Sequence, residues 1–138
     1  MPGNLVALIE ANADALTERL VKRLRSDPRT LGYRRFDDLE LGRRAGEVYR
    51  NLGAWIRHEK DLQVQEDYER LGRARREEGV PLSDVVAALL LTRRNLWDFA
   101  EAEPGDTVLD LRNKLDLELL VVRFFDRAIF HAVKGYAT

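Results

Sequence analysis

The longest stretch of the chain without proline or glycine runs from Asp106 to Lys134. Its apolar residues recur every three or four positions, which is the spacing of one face of an α-helix. We predict a helix over about 107–134, roughly 28 residues and about 42 Å long. That is long for a chain of 138 residues, and it makes a helical fold the first expectation.

The rest of the chain shows the same periodicity, and no segment alternates like a β-strand. Leu, Ala, Arg and Glu are abundant and proline occurs only four times, which favours helices over strands. We predict an all-α fold, a five-helix globin-like or bundle-like single domain over residues 1–138 with a long C-terminal helix. The predicted helices span approximately residues 4–25, 38–58, 62–78, 82–102 and 107–134.

Residues that favour helix ends mark these boundaries. Proline disfavours helix for the residue before it, so Asp27-Pro28 ends the first helix. The segment Arg29 to Phe36 is predicted to be a loop that pins Tyr33 and Phe36 to the core. The other predicted caps are Asp37 or Asp38 before the second helix, Gly79 after the third, Ser83 at the fourth, Asp106 or Thr107 before the last and Gly135 after it.

Charge and composition exclude several classes of protein. The chain carries 23 basic and 24 acidic residues for a net charge of -1, without the basic excess typical of nucleic-acid binding. It has no cysteine, which excludes disulfides and thiolate chemistry. No signal peptide or long uncharged apolar run is evident, so we expect a cytoplasmic protein that does not enter a membrane.

No catalytic, metal or cofactor site is predicted. The two histidines, His58 and His131, lie in different helices and outside any ligand motif. A haem ligand is less expected than an ordinary structural role for either imidazole. Carboxylates alternate with arginines at helical spacing, as in Glu69 and Arg73, which is typical of surface ion pairs.

Glycines on one face of the second helix suggest a close approach to its backbone. Gly42, Gly46, Tyr49 and Gly53 follow the spacing i, i+4, i+7, i+11. An interior glycine costs about 1 kcal/mol relative to alanine, so three of them on one face call for an explanation. Tight packing between helices is the preferred interpretation, and a ligand groove is the alternative.

Two arginines interrupt apolar stripes. Arg75 continues the series Val64, Tyr68 and Leu71, and Arg93 lies on the helix of Trp97. Arginine can extend its head to solvent along an apolar stem, which is the preferred interpretation. Alternatively, one guanidinium points inward and pairs with a carboxylate of the protein or of a bound acid. The possible ligand groove comprises Gly42, Gly46, Tyr49, Gly53, Tyr68, Arg75, Arg93 and Trp97.

The last predicted helix has two apolar stripes, although one is enough to pack a helix on its own domain. The first stripe consists of Leu111, Leu115, Leu119, Val122, Phe125, Ile129 and Val133. The second, which is the possible dimer interface, consists of Leu117, Leu120, Val121, Phe124 and Ala128. A contact with a second copy of the chain is the preferred interpretation, and central burial within one chain is the alternative.

The segment from Tyr68 to Trp97 carries a recognisable order of residues, with Leu71-Gly72, Arg75, Gly79-Val80-Pro81-Leu82 and Leu96-Trp97. It resembles the N-terminal domain of RsbT co-antagonist regulators of the RsbR and RsbRD type. The resemblance continues in 124–129 and in Gly135-Tyr136, so it covers most of the chain. It implies a cytoplasmic, globin-like input domain that dimerises, holds no haem and in many relatives precedes a downstream output domain.

Distant relatives of that fold bind fatty acids, which makes an apolar cavity an expectation here. The chain ends three residues after Gly135 with no output domain, so we expect either a standalone protein or an excised fragment. We predict a homodimeric, non-haem, non-enzymatic sensor of a small apolar or acidic molecule or of a partner protein. The alternative is a protein–protein assembly module without a small-molecule ligand.

Overall fold

The computed structural model describes residues 3–105 and 107–138, and within these ranges every regular element is helical. The prediction of an all-α fold with a long C-terminal helix is confirmed. The α-helices are α1 Gly3–Ala11, α2 Ala13–Ser26, α3 Asp38–Arg50, α4 Leu52–Ile56, α5 Asp61–Glu77, α6 Leu82–Ala102 and α7 Val108–Ala137, with a 3-10 helix at Pro28–Tyr33.

The described chain has more helices than the five predicted, because two predicted helices are each broken at an asparagine. Asn12 separates α1 from α2, and Asn51 separates α3 from α4. In both cases the side-chain amide donates a 2.8 Å hydrogen bond to the carbonyl oxygen four residues earlier. The side chain thereby competes with the backbone ladder, and the asparagine leaves helical geometry with ψ near 18°.

Most of the predicted helix ends are confirmed. The Asp37 side chain accepts from the backbone N–H of Glu40 at the start of α3. Thr107 and Asp110 cap each other at the start of α7, whereas the alternative cap, Asp106, lies outside the described residues. Gly79 follows α5 with φ of 77°, the left-handed conformation expected of a glycine at a helix end.

Two predicted ends are wrong. Ser83 does not cap α6, because the helix already begins at Leu82, after Pro81. Gly135 does not end α7, which continues to Ala137. The predicted loop 29–36 is also more regular than expected, since it begins with the 3-10 helix; Tyr33 is buried there, and Phe36 is packed against the core as predicted.

Helices α5 and α7 touch through their backbones at two glycines. A methyl group on Gly72 would overlap the carbonyl oxygen of Ala132, and one on Gly135 would overlap the carbonyl oxygen of Glu69. The contact is reciprocal, since each glycine receives the backbone of the other helix. Gly135 therefore serves helix packing, and this is why it lies inside α7 instead of ending it.

The aromatic centre of the core lies beside this contact. The Phe124 ring of α7 lies 5.7 Å from the ring of Trp55 and 6.3 Å from that of Tyr68, measured between centroids. Phe125 meets Phe124 edge to face at 5.2 Å. Each of these four side chains is at most 3% exposed, so α4, α5 and α7 share one continuous apolar core. Within the described ranges, no helix is long and apolar enough to span a membrane.

The glycine contact predicts the effect of adding one methyl group. Gly72→Ala and Gly135→Ala should each lower the free energy of unfolding by about 1–3 kcal/mol, because the opposing backbone has to move away. Gly3→Ala is the matched control, since nothing lies within 4 Å of the added carbon. Urea denaturation measures all three; equal stability of the three variants would show that the backbones are not in contact.

Candidate functional site

Helices α3 and α5 face each other across a cleft. The outer part, of about 360 Å³, opens between Arg44 and Glu47 of α3 and Asp67 and Arg70 of α5. A neighbouring part, of about 160 Å³, lies between Glu40 and Arg44 on one side and Arg75 on the other. Behind both is an inner cavity of about 40 Å³.

The walls of the inner cavity are mainly apolar. They come from α2, α3, α5 and α6 and from the 3-10 helix, and the polar exceptions are few. The apolar side chains are Leu20, Leu24, Leu41, Ala45, Val48, Leu71, Ala88 and Leu89. Arg44 and Arg75 line both the inner cavity and the neighbouring 160 Å³ part of the cleft, so they stand between the apolar interior and solvent.

Arg75 is buried and faces the protein, which is the alternative that the sequence left open. Its side chain is 7% exposed, and its Nη1 lies 2.9 Å from Glu78 Oε1 and 3.6 Å from Glu40 Oε1. The guanidinium lies over the rings of Phe36 and Tyr33, 4.7 and 5.3 Å from their centroids. Burial raises the pKa of Tyr33 to about 12, so this ring carries a neutral hydroxyl.

Arg44 was not singled out by the sequence, yet it is the second charged residue of the cleft. It connects the two walls, with Nη1 at 3.4 Å from Glu47 of α3 and 3.7 Å from Asp67 of α5. Its guanidinium lies 5.8 Å from the centroid of the Tyr68 ring. The sequence did contain a sign of this role. Arg44 lies between Leu41 and Val48 on the apolar side of α3, just as Arg75 continues the apolar stripe of α5.

Three polar atoms of the cleft are buried without a hydrogen-bond partner. They are the Nε of Arg44, the Nε of Arg75 and the hydroxyl of Tyr68. Burial raises the pKa of Tyr68, so its hydroxyl stays protonated and can donate. Tyr49 provides the contrast, because its hydroxyl donates to the carbonyl of Thr92 at 2.9 Å and accepts from the Asn95 amide at 3.1 Å.

The residues of the ligand groove predicted from the sequence lie in different parts of the structure. Tyr68 and Arg75 meet at the cleft, whereas Arg93 and Trp97 of α6 are not among the residues that line it. Tyr49 is fully buried in the core. These eight residues therefore do not form one continuous groove.

Two of the three glycines of that groove pack against neighbouring elements. A methyl group on Gly42 would come within 2.7 Å of Thr17 on α2, and one on Gly46 would come within 2.9 Å of the Arg50 guanidinium. The N–H of Gly53 donates to the carboxylate of Glu10 on α1 at 3.0 Å. The preferred interpretation, close packing on neighbouring elements, agrees with the contacts of Gly42 and Gly53. It does not account for Gly46, because Arg50 belongs to α3 itself and its side chain is flexible.

The second stripe of α7 packs in the core of the single chain, which is the alternative interpretation and not the preferred dimer contact. Four of the five residues assigned to a dimer interface are at most 3% exposed within the single chain, and Leu120 is half-buried. Fully buried side chains offer no surface to a second folded copy, so this assignment is corrected. The buried four are Leu117, Val121, Phe124 and Ala128.

The exposed apolar surface belongs to the other stripe, in the first half of α7. Leu111, Leu115 and Leu119 are 53%, 66% and 49% exposed, and Val108 reaches 83%. Together with the half-buried Val122, they form one face that we call the α7 strip. The later members of the stripe, such as Phe125, turn into the core.

Neither histidine belongs to the cleft. The Nδ1 atom of His58 lies 2.9 Å from Asp61 at the start of α5, and that of His131 lies 3.7 Å from Glu69 between α7 and α5. Within the described ranges, no three side chains of His, Asp or Glu are grouped so that they could hold a metal ion.

These features define an all-α domain organised around one long helix, with an arginine-lined cleft on one side and an exposed strip on another. Residues 14–138 match the family model of the RsbT co-antagonist protein RsbRD N-terminal domain. The match covers most of the chain, so the protein belongs to this family, as the resemblance predicted. The family comprises regulatory input domains of stress-response signalling. No curated protein and no solved structure matches the chain, so the globin-like topology stays a prediction.

The unequal bonding of the two buried tyrosines predicts unequal effects of removing their hydroxyls. Tyr68→Phe removes a hydroxyl without a partner and should leave the free energy of unfolding unchanged or raise it by up to about 1 kcal/mol. Tyr49→Phe removes two hydrogen bonds and should lower it by about 1–3 kcal/mol. Urea denaturation of ligand-free protein compares the two; an equal loss at both positions would mean that the Tyr68 hydroxyl has a partner in solution.

Proposed function

We propose that the protein is a non-enzymatic cytoplasmic input domain that works as a homodimer and relays its signal through α7. Membership of the RsbRD N-terminal family supports the role of an input domain. The single observation that carries the homodimer is the α7 strip, an apolar face on a long helix that nothing in the described chain covers. Contiguous exposed apolar surface of this kind is typical of protein interfaces.

The sequence of the strip is self-complementary in an antiparallel arrangement. With the two-fold axis at Leu115, residues equally far before and after it share a layer, so Leu111 meets Leu119 and Val108 meets Val122 of the second copy. All of these are apolar. A second copy of the chain therefore matches the strip along four helical turns.

Charges beside the strip favour the same arrangement. Arg112 and Asp116 are exposed, lie on one flank of the strip and have no ion-pair partner within the described residues. In the antiparallel dimer each Arg112 comes close to Asp116 of the other copy, which gives two symmetric ion pairs. A parallel dimer would instead bring Arg112 towards Lys114, a like charge.

The relay follows from the position of α5. This helix forms one wall of the cleft and also contacts α7 through Gly72 and Gly135. A molecule or partner that moves α5 would therefore move α7 with it, because the backbones in contact have no side chain between them to absorb the change. Two arrangements that differ by a few kcal/mol are enough for such a switch.

The strip predicts that Leu115→Glu separates the dimer, because it places two carboxylates face to face on the axis. We expect light scattering after size exclusion to give the mass of two chains for the native protein and of one chain for the variant. Phe130→Glu is the matched control, since Phe130 is also exposed on α7 but lies outside the strip. Native protein with the mass of one chain, or dissociation by both variants, would contradict the assignment.

The charges that flank the strip predict that the two α7 helices of the dimer are antiparallel. Arg112→Glu alone and Asp116→Arg alone should each weaken the dimer by about three- to tenfold, because each places like charges together. The double variant, Arg112→Glu with Asp116→Arg, should restore most of the affinity. Sedimentation equilibrium measures the four dissociation constants, and a double variant weaker than either single one would argue against the antiparallel dimer.

A further inference from the structure

We propose that the cleft between α3 and α5 binds a small monocarboxylate with a short apolar body, held by Arg44, Arg75 and Tyr68. The proposal rests on the proposed input-domain function and specifies the chemical class of its signal. It starts from the three buried polar atoms that lack a hydrogen-bond partner. Such groups are rare in folded proteins and call for a missing partner.

The missing partner has to accept hydrogen bonds. The Nε–H groups of Arg44 and Arg75 can only donate, and the protonated hydroxyl of Tyr68 can donate as well. All three residues line the inner cavity. An acceptor placed in this cavity therefore lies among three residues that each have a donor atom without a hydrogen-bond partner.

The electrostatics of Arg44 favour an acceptor with a negative charge. Its nearest carboxylates are Glu47, at 3.4 Å, and Asp67, at 3.7 Å, so its five N–H donors make one long hydrogen bond. A permanently charged guanidinium with a buried edge is best compensated by an anion. A carboxylate fits that edge, because its two oxygens match the spacing of two parallel N–H groups.

Acidic and basic side chains both border the cleft, and the acidic ones disfavour a ligand with more than one negative charge. Glu40, Glu47, Asp67 and Glu78 already border the cleft, and each lies within 4 Å of Arg44 or Arg75. They hold the two guanidinium groups in place, but they would repel a second carboxylate or a phosphate dianion. The cleft thus distinguishes a monocarboxylate from a dicarboxylate by charge.

The cavity limits the size and the polarity of the rest of the ligand. About 40 Å³ within apolar walls accommodates a few carbon atoms, since a water molecule needs about 10–15 Å³ on the same measure. The neighbouring 160 Å³ of cleft has room for a slightly longer chain, which would lie along Leu71 and Ala74 among otherwise charged side chains. Straight-chain acids of about four to eight carbons match these dimensions.

Side-chain NMR tests the proposal directly, because arginine Nε–H groups give resolved signals. Butyrate, hexanoate and octanoate are titrated into the full chain, with hexanamide, 1-hexanol and succinate as comparison compounds. We expect the signals of Arg44 and Arg75 to shift in a saturable way with at least one of the acids. The amide, the alcohol and the dicarboxylate should leave them unchanged.

Variants link the shift to the named residues. Arg44→Gln should weaken binding at least about tenfold, and Tyr68→Phe about three- to tenfold, as expected for lost bonds to a charged group. Arg43→Gln is the matched control, because Arg43 lies on the same helix and borders the cleft but is 60% exposed. Its affinity should stay within about twofold of the native value.

Three results would overturn the proposal: no saturable shift with any acid, an equal shift with hexanamide, or equal losses in Arg43→Gln and Arg44→Gln. Cross-relaxation between bulk-exchanging water and these Nε–H protons, without any ligand effect, would assign the cavity to water.

The same titration with Leu115→Glu separates this proposal from the dimer. Binding to that variant with no dimer in the native protein would refute only the homodimer, and a native dimer without binding would refute only the ligand.

Discussion

The architecture depends on the contact between two backbones at Gly72 and Gly135. It sets the distance between α5 and α7, and that distance places Tyr68 against Phe124. On the two sides of the glycine contact the partners advance in the same sense along both helices: Tyr68 meets Phe124, and Arg76 donates to the carbonyl of Tyr136. The helices therefore run parallel, side by side. Because α5 has 17 residues and α7 has 30, the first half of α7 extends beyond its neighbour.

This difference in length bears on both proposed surfaces. The part of α7 that α5 does not cover keeps its apolar residues exposed, and it is the part that carries the α7 strip. On its other side, α5 faces α3 through ion pairs of Arg44 and Arg75 and leaves a cavity between them. Helix α5 thus borders the cleft and also holds α7, the helix that carries the proposed interface. The cleft and the α7 strip are therefore connected through the position of α5.

The sequence predicted the helices well and their partners poorly. Periodicity and caps depend on neighbouring residues, so Asp37, Gly79 and Thr107 were found at helix ends. The breaks at Asn12 and Asn51 were missed, because the apolar period continues across them. Gly135 was misread, since a glycine near a helix end is usually a cap and its contact with Glu69 is distant in the sequence.

The candidate site was predictable only where one residue broke a local pattern. Arg75 stood out within an apolar stripe and is indeed buried. Arg44 lies beside such a stripe as well, but its role depends on Asp67 and Tyr68 of another helix. Both apolar stripes of α7 can be recognised in the sequence. Periodicity shows that a face is apolar, and it cannot show whether the face meets its own chain or another molecule.

The glycine contact lies at one end of α7, so a tilt of the helix at this contact would displace its other end most. Val108 lies 27 residues before Gly135, a distance of about 40 Å along a helix axis. If α7 pivots at this contact, a tilt of about 5° displaces its far end by roughly 3.5 Å, more than half a helical turn. In the proposed relay, a change at α5 would therefore become a larger displacement at the opposite end of the helix. In that relay, α7 would pivot at a pair of residues without side chains.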